Sequence, residues 1–369
     1  MIFFNVNCFG RHVLFIFAKN SVFLCVTLCN SVVKINYFSN ILLLVALVIS
    51  FSHCKGPAKK ETPAESKPFA EKPLVVPVFN ADSALYFVKA QTDFGPRVPG
   101  SKAHTECSSW LAGKLRQSTP DVVVQDFKGR VFNGEVYNGK NIIASFNPSA
   151  RARIMLCAHW DSRPFADHDP DPKKRNEPVM AANDGASGVG VLLEIARLLK
   201  DNTPNVGVDI IFFDLEDFGP PQDRQSDAAN EHWGLGSQHW SKNPHVPDYR
   251  ARFVILLDMV GAKNARFYKE GFSMYFAPDK VKKVWDVARD LGYQEYFPDA
   301  NGCYINDDHY FINEIRKIPA IDIIHLDDSS SNGSFFEYWH TTGDTFDKID
   351  RETLKVVGEV VTKVLFAEK

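Results

Sequence analysis

Five short stretches of this 369-residue chain carry histidine or carboxylate side chains at positions suited to catalysis. They are His159-Trp160-Asp161, Asn183-Asp184-Gly185, Asp214-Leu215-Glu216-Asp217, Asp258 and, far downstream, Trp339-His340-Thr341. Imidazole and carboxylate groups gathered at short range are the ligand set of a zinc site that keeps one position open for water or substrate. Each stretch alone has a plainer explanation. An Asp at a helix start is commonly a cap, and adjacent acids such as Glu216-Asp217 are commonly a solvated pair. Here the pair follows the apolar run 209–215 (DIIFFDL), which a solvated face would not. Five such coincidences point to one buried site that combines a metal with acid–base chemistry.

These residues need an alternation of strands and helices to bring them together. Apolar runs predict strands at 122–127, 141–146, 153–158, 208–213, 253–257 and 320–324. Apolar residues at helical spacing predict helices at 83–90, 102–117, 186–199, 279–291 and 351–366. That order implies an α/β fold with a mostly parallel, twisted central sheet flanked by helices on both faces. In such sheets ligands gather beyond the C-terminal ends of the strands. The runs ending near 158, 213 and 257 lead directly into His159, Glu216-Asp217 and Asp258.

In this order, HxD, NDGASG, an acidic pair after IIFFD, LDMVG and a late HT resemble the zinc exopeptidases of the bacterial leucine aminopeptidase type. FGPRVPGS (94–101), AHWDSRP (158–164), DLEDFG (214–219), INDDHYF (305–311) and the Trp of YWHT (338–341) narrow the resemblance to glutaminyl cyclases of the bacterial branch. It runs from about Phe94 to the C-terminus. The resemblance implies a single zinc on Asp184, Asp217 and His340, with Glu216 as general acid and base. It also implies that Asp258 and Asp307 are buried carboxylates hydrogen-bonded to Glu216. Trp233 and Trp339 become the aromatic walls that hold a glutamine side chain. His159, Asp161 and His309 stand one step behind. Asp217 occupies a position where animal cyclases carry Glu, a departure that matches the bacterial branch.

The implied reaction converts an N-terminal glutamine of a peptide or protein to pyroglutamate and releases ammonia. One carboxylate beside both nitrogens suffices to move the proton. The nearest rival is a two-zinc aminopeptidase of the same fold, for which His159, Asp184, Asp217, Asp258 and His340 are all present. Against it stand Asp307, expected to tie up Asp258, and Trp339, expected to narrow the pocket. A catalytically dead binding domain is disfavoured because Glu216 and His340 are both retained. The acid-rich stretch 167–175 (DHDPDPKKR) lacks the Gly turn and closing Glu of a calcium loop and reads as solvated. Residues 220–230 read as a surface insertion.

Composition agrees. With 45% hydrophobic and 24% charged residues the chain is of ordinary globular type. A net charge of −3 gives no basic field for nucleic acid. The apolar run 41–52, with Lys34 before it and Cys54 after it, resembles a lipoprotein signal whose Cys54 becomes the lipid anchor, although His53 departs from the small residue usual there. Residues 1–33 fit either a first membrane-inserting stretch or an upstream extension from a misassigned start, and the second is preferred. Residues 55–77, rich in Pro, Lys, Glu and Ala, read as a disordered tether. The catalytic domain is then 78–369, exported, anchored to a membrane facing the periplasm or cell surface, and expected to be monomeric. Beyond the leader only Cys107, Cys157 and Cys303 remain, without a CxxC pair, so at most one disulfide is possible and no thiolate zinc site.

Overall fold

A computed structural model describes residues 2–8, 11–17, 75–221, 224 and 231–369. Strands β1 (Ile2–Cys8) and β2 (Arg11–Phe17) pair in a two-stranded sheet of their own. The apolar run 41–52, Cys54 and the tether up to residue 74 lie outside the described residues, as does most of 222–230.

The larger unit is built on β3 (Val122–Arg130), β4 (Val136–Phe146), β5 (Arg153–His159), β6 (Gly207–Phe213), β7 (Val254–Asp258) and β8 (Ala320–Ile324). Their order across the sheet is β3-β4-β6-β5-β7-β8. The last four are mutually parallel. The first two form a hairpin, and β4 runs antiparallel to β6. Parallel pairing needs a long crossover, and the few residues between Arg130 and Val136 permit only a hairpin. The sheet is therefore parallel where the chemistry lies and antiparallel at one edge. Nearly every residue of β5 to β8 is buried, as strands covered on both faces must be.

Alternate residues of these strands feed two cores. Leu156, Ile210, Ile255 and Ile321 meet α1 (Ala81–Thr92), α2 (Lys102–Arg116), α3 (Ala186–Asp201), α6 (Pro278–Asp290) and α8 (Arg351–Ala367) on one face. Met155, Cys157, Ile211, Val254 and Leu256 meet Trp240 and Ile312 on the other, from α4 (Leu235–Lys242) and the π-turn Ile312–Arg316. Helices thus cover both faces as expected. Cys107 and Cys157 are buried free thiols. Three short helices escaped the periodicity: α4, α5 (Gly271–Phe276) and α7 (Asp308–Phe311). None is long enough to display a full apolar stripe. Among the described residues no helix is long and apolar enough to cross a membrane.

The fit of α3 against the sheet explains the small residues of NDGASG. A Cβ on Gly188 would sit 2.2 Å from the carbonyl oxygen of Leu257, so only glycine lets the helix approach β7. Gly185, at φ +98°, opens the helix in a conformation that side chains disfavour, with His159 packed over it. This approach brings Asp184, at the start of α3, beside the end of β5.

Candidate active site

Strand ends supply most of the site. β5 ends in His159, β7 ends in Asp258, and β6 runs into Asp214 to Asp217. Immediately afterwards the backbone turns back through left-handed residues, Leu215 (φ +56°) and Met259 (φ +49°), and His340 is itself left-handed (φ +53°). Non-glycine residues in that region carry strain of order 1–3 kcal/mol and persist where surrounding contacts fix them. Here the turns aim Glu216, Asp217 and His340 into one pocket.

Asp184, Asp217 and His340 each place a ligand atom within 4.8 Å of the others. The Oδ1 of Asp184 lies 3.0 Å from Nε2 of His159, and its Oδ2 has no hydrogen-bond partner. The Oδ1 of Asp217 accepts from Arg163 at 3.2 Å and lies 3.1 Å from Nε2 of His340, and its Oδ2 is likewise unpartnered. Buried unpaired carboxylate oxygens are costly, and a cation between them removes that cost. Burial, then the charge of Arg163, holds the His340 imidazole well below its ordinary pKa. It is therefore neutral, the form that ligates metal. Two carboxylates and one imidazole with room for substrate fit a catalytic zinc.

The layer behind these groups is well tied. Asp344, missed in the sequence, accepts from the backbone N–H groups of Asn183 (2.8 Å) and Asp184 (3.0 Å). Its own carboxyl is pushed up to about 7 by burial and then by the charge of Asp184. Asp161 accepts from the N–H of Glu216 (3.2 Å) and of Asp217 (3.3 Å), so the second acid of HxD sets the acidic pair. Arg97 of FGPRVPGS, wholly buried, donates to the carbonyls of Trp160, Met180 and Ala181 and pins the loops on either side.

Glu216 is 8% exposed and lines the pocket. Burial, then the charge of Asp307, raises its carboxyl well above the usual carboxylate range. Asp258 is pushed up to about 8, mainly by burial and against the pull of His159. The expected hydrogen bonds from Asp258 and Asp307 to Glu216 are not how these acids are engaged. Asp258 approaches His159 at 3.3 Å. Asp307 accepts from the N–H of Asp308 and lies within 4.8 Å of Asp322, whose carboxyl is raised well above its ordinary value by burial and then by the charge of Asp307. Their separate partners reflect the elements carrying them: Asp258 ends β7 beside β5, whereas Asp307 caps α7 against β8. Asp307 reaches Glu216 through its charge. His309 lies behind the pocket, its Nε2 2.9 Å from Glu270.

The pocket has a volume of about 270 Å³. That is just under the range of sites for drug-sized ligands, a size suited to one amino-acid side chain with its amine. Trp233, Trp339, Phe335, Ile305 and Tyr304 line it together with the candidate ligands, Glu216, Asp258 and Asp307. Both indoles lie nearly parallel to the His340 ring, at 6.1 Å for Trp233 and 3.7 Å for Trp339. Gly219 makes room for Trp233, because a Cβ there would meet the indole at 2.1 Å. Phe336 is core and Tyr338 is 38% exposed, so of the late aromatics flanking Trp339 only Phe335 faces the pocket.

Residues 141–365 match the sequence profile of peptidase family M28, a stretch containing every candidate ligand and Glu216. The chain belongs to peptidase family M28, among its glutaminyl cyclases. The crystal structure of Bacteroides thetaiotaomicron glutaminyl cyclase bound to N-acetylhistamine is 50% identical, with a TM-score of 0.78 over 80% of this chain and 100% of that one. A structure titled leucine aminopeptidase precursor, also from B. thetaiotaomicron, is 50% identical with a TM-score of 0.77 over the same shares. The glutaminyl-peptide cyclotransferase of Bos taurus is 27% identical over 311 residues, 73% of this chain and 79% of that protein. Membership of this M28 group implies zinc, and the Asp184, Asp217, His340 group fits it. A second M28-type group, His159, Asp184 and Asp258, also lies within 4.8 Å.

Proposed function

We propose that this protein is a glutaminyl-peptide cyclotransferase with one zinc ion on Asp184, Asp217 and His340. The observation that carries the reading is a buried, raised Glu216 beside the three-ligand group, in a pocket sized for one side chain and walled by two tryptophans. Zinc there supplies Lewis-acid polarisation of the glutamine side-chain carbonyl. Trp233 and Trp339 hold that side chain folded toward its own α-amine and exclude water, and the ring closure, being intramolecular, gains much of its rate from this positioning. Glu216 takes a proton from the attacking α-amine as the new nitrogen–carbon bond forms. It returns a proton to the amide nitrogen as the old carbon–nitrogen bond breaks, and ammonia leaves. Glu216 ends in its starting state. Its raised pKa helps the carboxyl hold the proton between the two transfers.

The His159, Asp184, Asp258 group gives the two-zinc aminopeptidase its support in the geometry of the site. In this structure that place is held by His159 itself. Burial disfavours its charge, but Asp161, Asp184 and Asp258 outweigh burial and raise the imidazole well above its ordinary pKa. An imidazolium between Asp184 and Asp258 does the work of a second cation. Incubation with a Gln-initiated and a Leu-initiated peptide, read by mass, separates the readings. Loss of ammonia from the first alone supports the cyclase; free leucine from the second refutes it.

Export and lipid anchoring through Cys54 complete the proposal, supported by the apolar run 41–52 and the basic, Pro-rich segment after it. Natural substrates are then exported proteins whose maturation exposes an N-terminal glutamine. Cys54→Ser should move the protein from the membrane to the soluble fraction, and continued membrane association would remove the anchor.

A further inference from the structure

The segment 163–169 touches two of the three proposed zinc ligands and both tryptophan walls. We propose that Arg163 and Asp167 are positioning residues that tie ligand geometry to the substrate walls, so that zinc retention and glutamine binding are set together. The Arg163 guanidinium is wholly buried and fully engaged. Its Nε and Nη2 fork onto Asp167 at 2.7 and 2.9 Å. Its Nη1 donates to the carbonyl and to Oδ1 of Asp217, both at 3.2 Å, which leaves the other Asp217 oxygen for metal. The Oδ1 of Asp167 in turn lies 3.6 Å from Nδ1 of His340. The same guanidinium stands over the rings of Phe165 at 4.4 Å and Trp233 at 5.0 Å.

The rest of the segment serves the other wall. His168 packs on Trp339 at 4.4 Å, and its backbone N–H donates to the carbonyl of His340 at 3.1 Å. Asp169, buried, accepts from the N–H (3.0 Å) and hydroxyl (2.6 Å) of Thr342. These contacts bracket His340 and hold its left-handed backbone. Only from residue 170 onward is the stretch the solvated loop that its composition suggests.

A planar fork with a stacking face is what distinguishes arginine from lysine. Arg163→Lys keeps a charge and loses both the fork and the stack, so it is the informative change. The test uses the full, zinc-loaded protein and the variants Arg163→Lys, Trp233→Ala and their combination. KM and kcat for a Gln-initiated peptide are measured beside the rate at which zinc passes to a chromogenic chelator. Arg163→Lys should raise KM by about tenfold and hasten zinc loss by about 10- to 100-fold, the range for groups that orient ligands. In the double variant its KM effect should shrink to under about twofold, because the wall it supports is already gone. Asp167→Asn, closer in shape, should also hasten zinc loss. Wild-type zinc retention in both Arg163→Lys and Asp167→Asn, or KM effects that multiply fully, would overturn the proposal. The KM arm rests on the cyclase reading and the zinc arm does not. A wild-type protein that leaves the Gln peptide untouched counts against that reading, while the zinc arm still judges the tie between Arg163, Asp167 and the ligands.

Discussion

Replacing Glu216 by Gln isolates the proposed proton shuttle from everything else the residue does. The side chains are nearly isosteric, and the contacts that fix this turn are made by the backbone N–H to Asp161 and not by the Glu216 carboxyl. The three ligands are untouched, so zinc should bind as before. What is lost is a group that takes one proton and returns another. Such groups contribute about 10²- to 10⁴-fold, and a thousandfold fall in kcat corresponds to about 4 kcal/mol on the barrier. The same change should stabilise the zinc-free protein. Burial and the charge of Asp307 hold the folded Glu216 carboxyl well above the range near 4.3 that it has in an unfolded chain. As pH rises past that range the unfolded state loses the proton first, while the folded state keeps it, so stability falls with pH until the folded carboxyl also ionises. Gln removes this fall. The Tm difference, variant minus wild type, should be near zero at about pH 4.5 and positive by about pH 7. Ammonia release, zinc content and melting of the chelator-treated proteins measure all three effects. Near-normal turnover, or a variant less stable at neutral pH, refutes the role given to Glu216.

Other perturbations probe the same geometry. Trp339→Ala should lower kcat/KM for a Gln peptide by roughly 10- to 150-fold, from about 1.5–3 kcal/mol of lost apolar contact; an unchanged value would remove Trp339 from the pocket wall. Asp344→Asn places an amide N–H against one of the two backbone donors that Asp344 now receives. Zinc affinity should drop about 10- to 100-fold, and a competition titration against a chelator of known affinity that gives the wild-type value would contradict it. Gly188→Ala forces a Cβ toward the Leu257 carbonyl and should destabilise the fold by about 1–3 kcal/mol in urea denaturation. An unaffected midpoint would mean that α3 yields without strain.

Most of this architecture could be seen in the residues because the site sits where the strands end. The runs 153–158, 208–213 and 253–257 announce buried parallel strands, and each leads into a charged group that burial alone would exclude. The short helices could not be seen that way, since α7 is four residues long and starts on the cap made by Asp307. The supporting layer was harder still. Arg163 stands inside the motif AHWDSRP, yet a lone arginine carries no sign of which carboxylates it will meet. Asp322 did leave a signal, an acid in the middle of the buried strand Ala320–Ile324. It reads as a flaw in an apolar run until the structure puts Asp307 beside it. The approach of Asp258 to His159 and of Asp307 to Asp322 depends on side-chain directions from four separate elements, which spacing along the chain does not encode.

A metal titration separates the proposed one-zinc, ring-closing enzyme from a two-zinc aminopeptidase. The purified chain is stripped with chelator and zinc is added back in fractions of an equivalent, with ammonia release from a Gln peptide and leucine release from a Leu peptide monitored together. Ring closure should rise linearly and level off at one zinc per chain, with no leucine at any point. Activity that appears only with a second equivalent, or leucine release that grows with it, would place a second ion between His159, Asp184 and Asp258 and make this protein an aminopeptidase.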